Sequence, residues 1–314
     1  MCQMNGCFLY LLYKIYKLGG FSLCMVAEKS NNPPRTMISC PETSAVWKEL
    51  ASQRYPHAVP LDDRGHVYYA PDATDVLGAP IPVVVKYLPH TEASRREISF
   101  ARSYSGWIAG EVYAVERLDE GLELIMEPAS GSLSDQQFTS PHDQYALAYA
   151  IAELVSFLEL DGLGHFDLKP ANIFTFNDGT ETRLRLGDFG LTHSFRNFRR
   201  QMCKRPYIVG TPGYQAPEFF AEQSSADYSP DIFAFGMVLY HLVQGRRPTI
   251  ITTSSRDDYA KFMRTEQYRE GIQDLPINTV HPTVLSLIYT CTEVRASYRP
   301  SSFRTILDFL DKNP

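Results

Sequence analysis

Apolar and polar positions change their rhythm part-way along the chain. Between about residues 57 and 126 they recur in short runs, His66 to Ala70, Ile81 to Leu88, Glu111 to Val115 and Leu122 to Met126, each bounded by turn residues. Such runs predict a small antiparallel sheet, because alternate side chains of a strand fall on opposite faces. Only Thr91 to about Ser103 departs from this, with charged and apolar residues at helical spacing. After Pro141 the period lengthens. Leu147, Ile151, Leu154, Val155 and Leu158 trace one stripe of a helix over Gln144 to Glu159. Further helices are predicted at Pro230 to Val243, Asp257 to Arg269, Thr283 to Thr290 and Ser302 to Leu310, the last opening on a serine cap. A short region of sheet and loop at 165–190 interrupts them. The chain therefore reads as α+β, a strand-rich lobe followed by a helical lobe, with the crossing near Glu127 to Ser134.

Residues 1–45 differ from the rest. An apolar start gives way to Lys29-Ser-Asn-Asn-Pro-Pro-Arg35, a polar, proline-bearing stretch that reads as a linker. The main domain is expected over 57–312, with a small lobe at about 57–126, a hinge at about 127–134 and a large lobe at about 135–312. The apolar run Cys7 to Tyr13 is far short of the roughly 20 residues that span a bilayer, so no stable membrane insertion is expected.

Composition narrows the classes. At 314 residues with 44% apolar and 21% charged, the chain is excluded from the disordered and collagen-like classes. Its formal net charge of −6 gives no global basic field for nucleic acid. Six cysteines, at 2, 7, 24, 40, 203 and 291, are too scattered for a zinc knuckle or a dense disulfide framework. They read as reduced thiols of an intracellular protein, cytoplasmic or nuclear.

The richest chemistry lies in His165-Phe-Asp-Leu-Lys-Pro-Ala-Asn172, followed by Asp188-Phe-Gly190. Two acids, a lysine and an amide in loops bracketed by apolar strands supply what phosphoryl transfer from a magnesium nucleotide requires. These are a carboxylate to orient a hydroxyl, a positive charge near the moving phosphoryl group, and oxygen ligands for metal. The segment resembles the catalytic loop and metal-binding turn of the eukaryotic protein kinase family. The resemblance continues in Gly210-Thr-Pro-Gly-Tyr-Gln-Ala-Pro-Glu218, Asp231 with Gly236, and Arg299-Pro300. It implies a bilobal kinase-like fold over about 57–312, with ATP and Mg2+ as cofactors and a protein as substrate.

Carried over residue by residue, the resemblance makes Asp167 the acceptor of the hydroxyl proton and Lys169 the charge that steadies the phosphate. Asn172 and Asp188 would hold Mg2+. His165 is structural, behind the loop. In the small lobe Lys86, ending Val83-Val-Val-Lys, would face the α and β phosphates, and as a buried ammonium it needs a partner. Glu97 is the best candidate and Glu92 the alternative. Adenine would sit between Val67 and Val84 above and Phe174 below, with Glu127 and Ala129 of the hinge reading its edge. Pro128 lacks a backbone donor.

The sequence departs from the family's pattern in several places. Leu61-Asp-Asp-Arg-Gly65-His-Val67 keeps only the last glycine of the phosphate-covering loop, and Asp62 and Asp63 bring negative charge there. A rival placement, Leu18-Gly-Gly-Phe-Ser-Leu23, would require a long insertion before Lys86. Phe166 replaces the arginine that usually pairs with a phosphorylated activation segment. Ala101 is small for its place in the stack Ala101, Val112, His165, Phe189, which hints at a less firmly assembled active state. Arg196, Arg199, Arg200, Lys204 and Arg205 make the segment near Tyr207 basic, suited to acidic substrates or merely to solvent.

Lys169 and Thr211 resemble serine/threonine kinases, with Thr211 forming the floor under the acceptor hydroxyl. The catalytic-loop run is also similar to Wee-type inhibitory kinases, some of which phosphorylate tyrosine. The activity implied is transfer from ATP to protein serine or threonine. The alternatives are a pseudokinase acting as scaffold or allosteric regulator, and transfer to a small molecule or lipid.

Overall fold

Strand alternation sets the small lobe. In β3 (Pro80–Leu88) Val83, Val85 and Tyr87 are buried on one face, while Val84 and Lys86 point the other way. β3 lies at the centre of a five-stranded antiparallel sheet with β1 (Val59–Pro60), β2 (Val67–Thr74), β4 (Val112–Arg117) and β5 (Leu122–Met126), in the order β1-β2-β3-β5-β4. The register aligns Val67, Lys86 and Leu124 in one row across three strands. This computed structural model describes residues 41–75, 78–177, 179, 181–194, 210–220, 229–248, 256–265, 267–273, 275 and 278–314. The Leu18 to Leu23 placement and the basic segment around Tyr207 lie outside the described residues.

Two helices flank the sheet. α1 (Pro41–Arg54), which the sequence reading does not predict, joins Trp47 and Ala51 to Tyr68, Val83, Val85 and Tyr87 in a core of their own. The small lobe therefore includes residues N-terminal to 57. On the other face lies α2 (Glu92–Ser103). Thr91 caps it by accepting from the Ser94 amide at 3.1 Å, and its Ile98 and Ala101 are buried with Leu88 and Leu124.

The large lobe is built on helices. α3 (Pro141–Leu160) is capped by Ser140 and buries Leu147, Ile151, Val155 and Leu158. Against it pack α4 (Ser229–Gln244), α7 (Pro282–Cys291) and α8 (Phe303–Lys312), while α5 (Arg256–Arg264) and the short α6 (Glu270–Gln273) lie to the side. Ser302 caps α8 as the sequence predicts, accepting from Thr305 N at 3.1 Å. The predicted helix at 257–269 is split, a 3-10 turn at Gln267–Arg269 following α5.

Between the lobes, β6 (Gly131–Ser132), β8 (Ile173–Asn177) and β9 (Thr182–Leu186) form a three-stranded sheet, and β7 (Leu163–Gly164) pairs with β10 (His193–Ser194). These short pairs leave the loops 165–172 and 187–192 at the cleft. The architecture is bilobal, a small antiparallel sheet with its key helix above a larger helical lobe. Among the described residues no helix is long and apolar enough to cross a membrane.

Candidate active site

Lys86 leaves β3 on the face turned to α2, where its ammonium is ion-paired with Glu97 and lies 3.4 Å from Asp188 Oδ1. Burial alone would lower the lysine's pKa, but the charges of Asp188 and Glu97 outweigh it and hold the ammonium above the usual lysine range. The Lys86 charge in turn pulls the Asp188 carboxyl below its ordinary value against burial, with Lys169 acting the same way. Glu97, 7% exposed, is the partner, while Glu92 pairs instead with Arg96 at 3.4 Å on the helix surface. Asp188 adopts a left-handed conformation, φ 59° and ψ 65°, which turns its carboxylate toward Lys86.

The loop 165–172 is fixed from beneath. Asp231, buried at the start of α4, accepts the amides of His165 at 2.7 Å and Phe166 at 2.8 Å. Phe166 has φ 60°, and its ring packs where a side chain on Gly164 would strike it, 2.5 Å from Cζ. His165 accepts the Asp167 amide at Nδ1 (3.3 Å), so the Nε2 proton is donated to Gly187 O at 3.1 Å. It acts as a strut, with its ring against Phe189 at 5.7 Å.

Around Asp167 the side chains converge. Thr211 Oγ1 donates to Oδ1 at 2.8 Å, Lys169 Nζ donates to Oδ2 at 2.8 Å, and Asn172 Nδ2 reaches Oδ2 at 3.2 Å. Lys169 also donates to Thr211 Oγ1 at 2.8 Å, closing a triangle. Asn172 O accepts the Gly187 amide at 2.9 Å, which ties the loop to the turn bearing Asp188. The oxygen chemistry of Asn172 and Asp188 suits Mg2+, which takes one or two protein oxygens and completes its shell with phosphate and water. No group of three or more His, Cys, Asp or Glu that could hold a metal occurs among the described residues.

Above the cleft, the turn between β1 and β2 is closed on itself. Asp62 Oδ1 accepts the amides of His66 at 2.8 Å and Val67 at 2.9 Å, and Gly65 takes φ 68°. The Asp62 charge is therefore committed to the turn's own backbone. Val67 and Val84 stand on neighbouring strands above, and Phe174 below lies against Gly187, where a Cβ would meet its ring at 2.5 Å. At the hinge the Glu127 amide is donated to Glu111 O at 2.8 Å and the Ser130 amide to Thr175 O at 2.7 Å, with Ala129 between them. The Glu127 carboxylate is ion-paired with Arg185, whose guanidinium lies over Phe176 at 4.6 Å.

Two contributors escaped the sequence reading. Tyr104 stacks on Phe189 at 6.5 Å and donates its hydroxyl to Asp161 at 2.5 Å, adding an aromatic behind the Asp188 turn near the small Ala101. Arg185 had no signal beyond its place in the alternating run Thr182 to Leu186. Further out, Arg299 holds Glu218 through Nη1 at 2.6 Å and Nη2 at 2.9 Å.

The protein kinase domain family matches residues 83–309, well over half of the chain and all of the geometry from Lys86 to Arg299. The chain belongs to this family. Among curated relatives, this kinase domain is 32% identical over 154 residues to a lectin-domain containing receptor kinase of Arabidopsis thaliana, covering 47% of this chain and 21% of that one. It is 32% identical over 156 residues to a calcium/calmodulin-dependent protein kinase type 1 of Caenorhabditis briggsae, covering 49% and 40%. Human serine/threonine-protein kinase H1 is 26% identical over 172 residues, covering 53% and 40%. The chain thus spans less than half the length of each of these relatives.

Proposed function

We propose that this kinase domain transfers the γ-phosphoryl group of ATP to serine or threonine hydroxyls of a protein substrate. The observation that carries the reading is the convergence of Lys169, Thr211 and Asn172 on the Asp167 carboxylate, beside the ion-paired Lys86, Glu97 and Asp188. Phosphoryl transfer asks the protein mainly for positioning and charge stabilisation, and these residues supply both.

In this reading Asp167 orients the acceptor hydroxyl and takes its proton, while the Lys169 ammonium offsets charge on the moving phosphoryl oxygens. Thr211, bonded to both, sets the floor on which a small hydroxyl rests. Lys86 holds the α and β phosphates, with Glu97 fixing the ammonium. Asn172 and Asp188 would hold Mg2+, which when bound screens the phosphate charges. Val67, Val84 and Phe174 enclose adenine, Gly65 belongs to the turn over the phosphates, and Glu127 O with the Ala129 amide faces its edge. Pro128 then costs nothing, since the neighbouring Glu127 amide is already committed to Glu111. The names of relatives such as serine/threonine-protein kinase H1 support the choice of hydroxyl.

A pseudokinase reading draws on one observation, the Asp62 carboxylate that already takes two amides of the degenerate phosphate turn. Phosphoamino-acid analysis of product labelled from ATP and Mg2+ separates the readings. Phosphoserine or phosphothreonine is expected; phosphotyrosine, a labelled lipid or no product at all would overturn the proposal.

A further inference from the structure

α1 lies outside the region matched by the kinase family and is seated on the outer face of the small-lobe sheet, behind the strands that carry Val67, Val84 and Lys86. Trp47, Leu50, Ala51 and Arg54 share one face of the helix at helical spacing. The Trp47 ring, 2% exposed, meets His66 edge to face at 4.6 Å and 78°, and lies nearly parallel to Tyr87 at 6.3 Å and 20°. Arg54 anchors the end of the helix, with Nη2 at 2.9 Å from the fully buried Glu123 and 2.5 Å from Glu116.

Both aromatic contacts fall at working positions. His66 stands between Gly65 and Val67, and Tyr87 follows Lys86. The two are tied by the Tyr87 amide donating to His66 O at 2.8 Å. His66 Nε2 is buried and has no hydrogen-bond partner among the described residues, so that edge of the ring is held by packing, with Trp47 against it. We infer that Trp47 is a positioning residue, through which α1 latches the turn 61–66 and the Lys86 strand from the outer face of the sheet. The effect on nucleotide rests on the function proposed above; the latch itself does not.

The test uses the full chain as wild type, Trp47→Leu, which keeps an apolar side chain but removes the ring, and Trp47→Phe, which restores one. Hydrogen exchange without nucleotide reads the latch. The expected result is faster exchange of the amides of Leu61, Gly65, His66, Val67 and Tyr87 in Trp47→Leu, with His165 and Phe166 unchanged and Trp47→Phe near wild type. Unchanged exchange in the turn overturns the inference. Acceleration spread equally to His165 and Phe166 also overturns it, by showing general loosening. In the transfer assay Trp47→Leu should raise KM for ATP about 3- to 10-fold with kcat within about twofold, the cost of a turn no longer preorganised. A fall in kcat with KM unchanged contradicts this. A wild type that transfers no phosphate refutes the proposed function, while the exchange result still decides the latch.

Discussion

Removing Arg299 should cost this fold more than almost any other single truncation. Its side chain is fully buried, donates two bonds to Glu218 at 2.6 and 2.9 Å, donates Nε to Glu293 O at 2.6 Å and Nη2 to Val294 O at 3.1 Å, and lies over the Phe233 ring at 4.9 Å. In Arg299→Ala the Glu218 carboxylate, 9% exposed at its side chain, is left uncompensated and two carbonyls lose their donor. Breaking a buried pair from one side costs about 3–5 kcal/mol. For a domain of this size each kcal/mol moves the midpoint by roughly 2–4 °C, so thermal unfolding followed by circular dichroism should fall by about 6–20 °C. Arg299→Met combined with Glu218→Gln removes both charges and should recover part of that loss. A single variant melting within about 2 °C of wild type would refute the reasoning, as would a double variant worse than the single one.

Gly187→Ala places a methyl 2.5 Å from the Phe174 ring, and should destabilise by about 1–3 kcal/mol in urea unfolding while weakening nucleotide binding; an unchanged midpoint contradicts this. Burial pushes the Cys291 thiol up to about 12, so mass-mapped alkylation at pH 8 should leave Cys291 unmodified in the folded chain and label it in denaturant. His66 and His281 have pKa values lowered by burial, so the unfolded state binds more protons near and below their ordinary value of 6.5. Stability is therefore full above that value and is lost as pH falls below it; His66→Asn should shrink the drop in urea midpoint between pH 7.5 and 5.5, and an undiminished drop would count against the assignment.

Much of this was legible because the informative residues are contiguous. The loop 165–172 and the Asp188 turn carry their chemistry in short runs, and the run Val83-Val-Val-Lys marked Lys86 through the resemblance. β5 emerged over Leu122–Met126 as predicted, and Ser302 signalled its helix as a cap. What stayed hidden depends on distant partners. α1 offers only a narrow apolar stripe beside a polar linker, and its meaning comes from the sheet that Trp47 covers. Tyr104 gains its role from Phe189 and Asp161, far along the chain, and Arg185 from Glu127 and Phe176. Asp62 was visible as a charge, but its bonds within the turn were not read. An aspartate four residues before His66 is turn chemistry, and its carboxylate accepts two of the turn's amides.

The most direct test of the account is the rate at which wild type and Asp167→Asn transfer labelled γ-phosphate from ATP and Mg2+ to a library of mixed acidic and basic peptides. The account predicts transfer by the wild type that falls by at least about 100-fold in the variant, the range expected when a positioned proton acceptor is lost. Equal rates in the two proteins, or no transfer by a folded, nucleotide-saturated wild type, would contradict it.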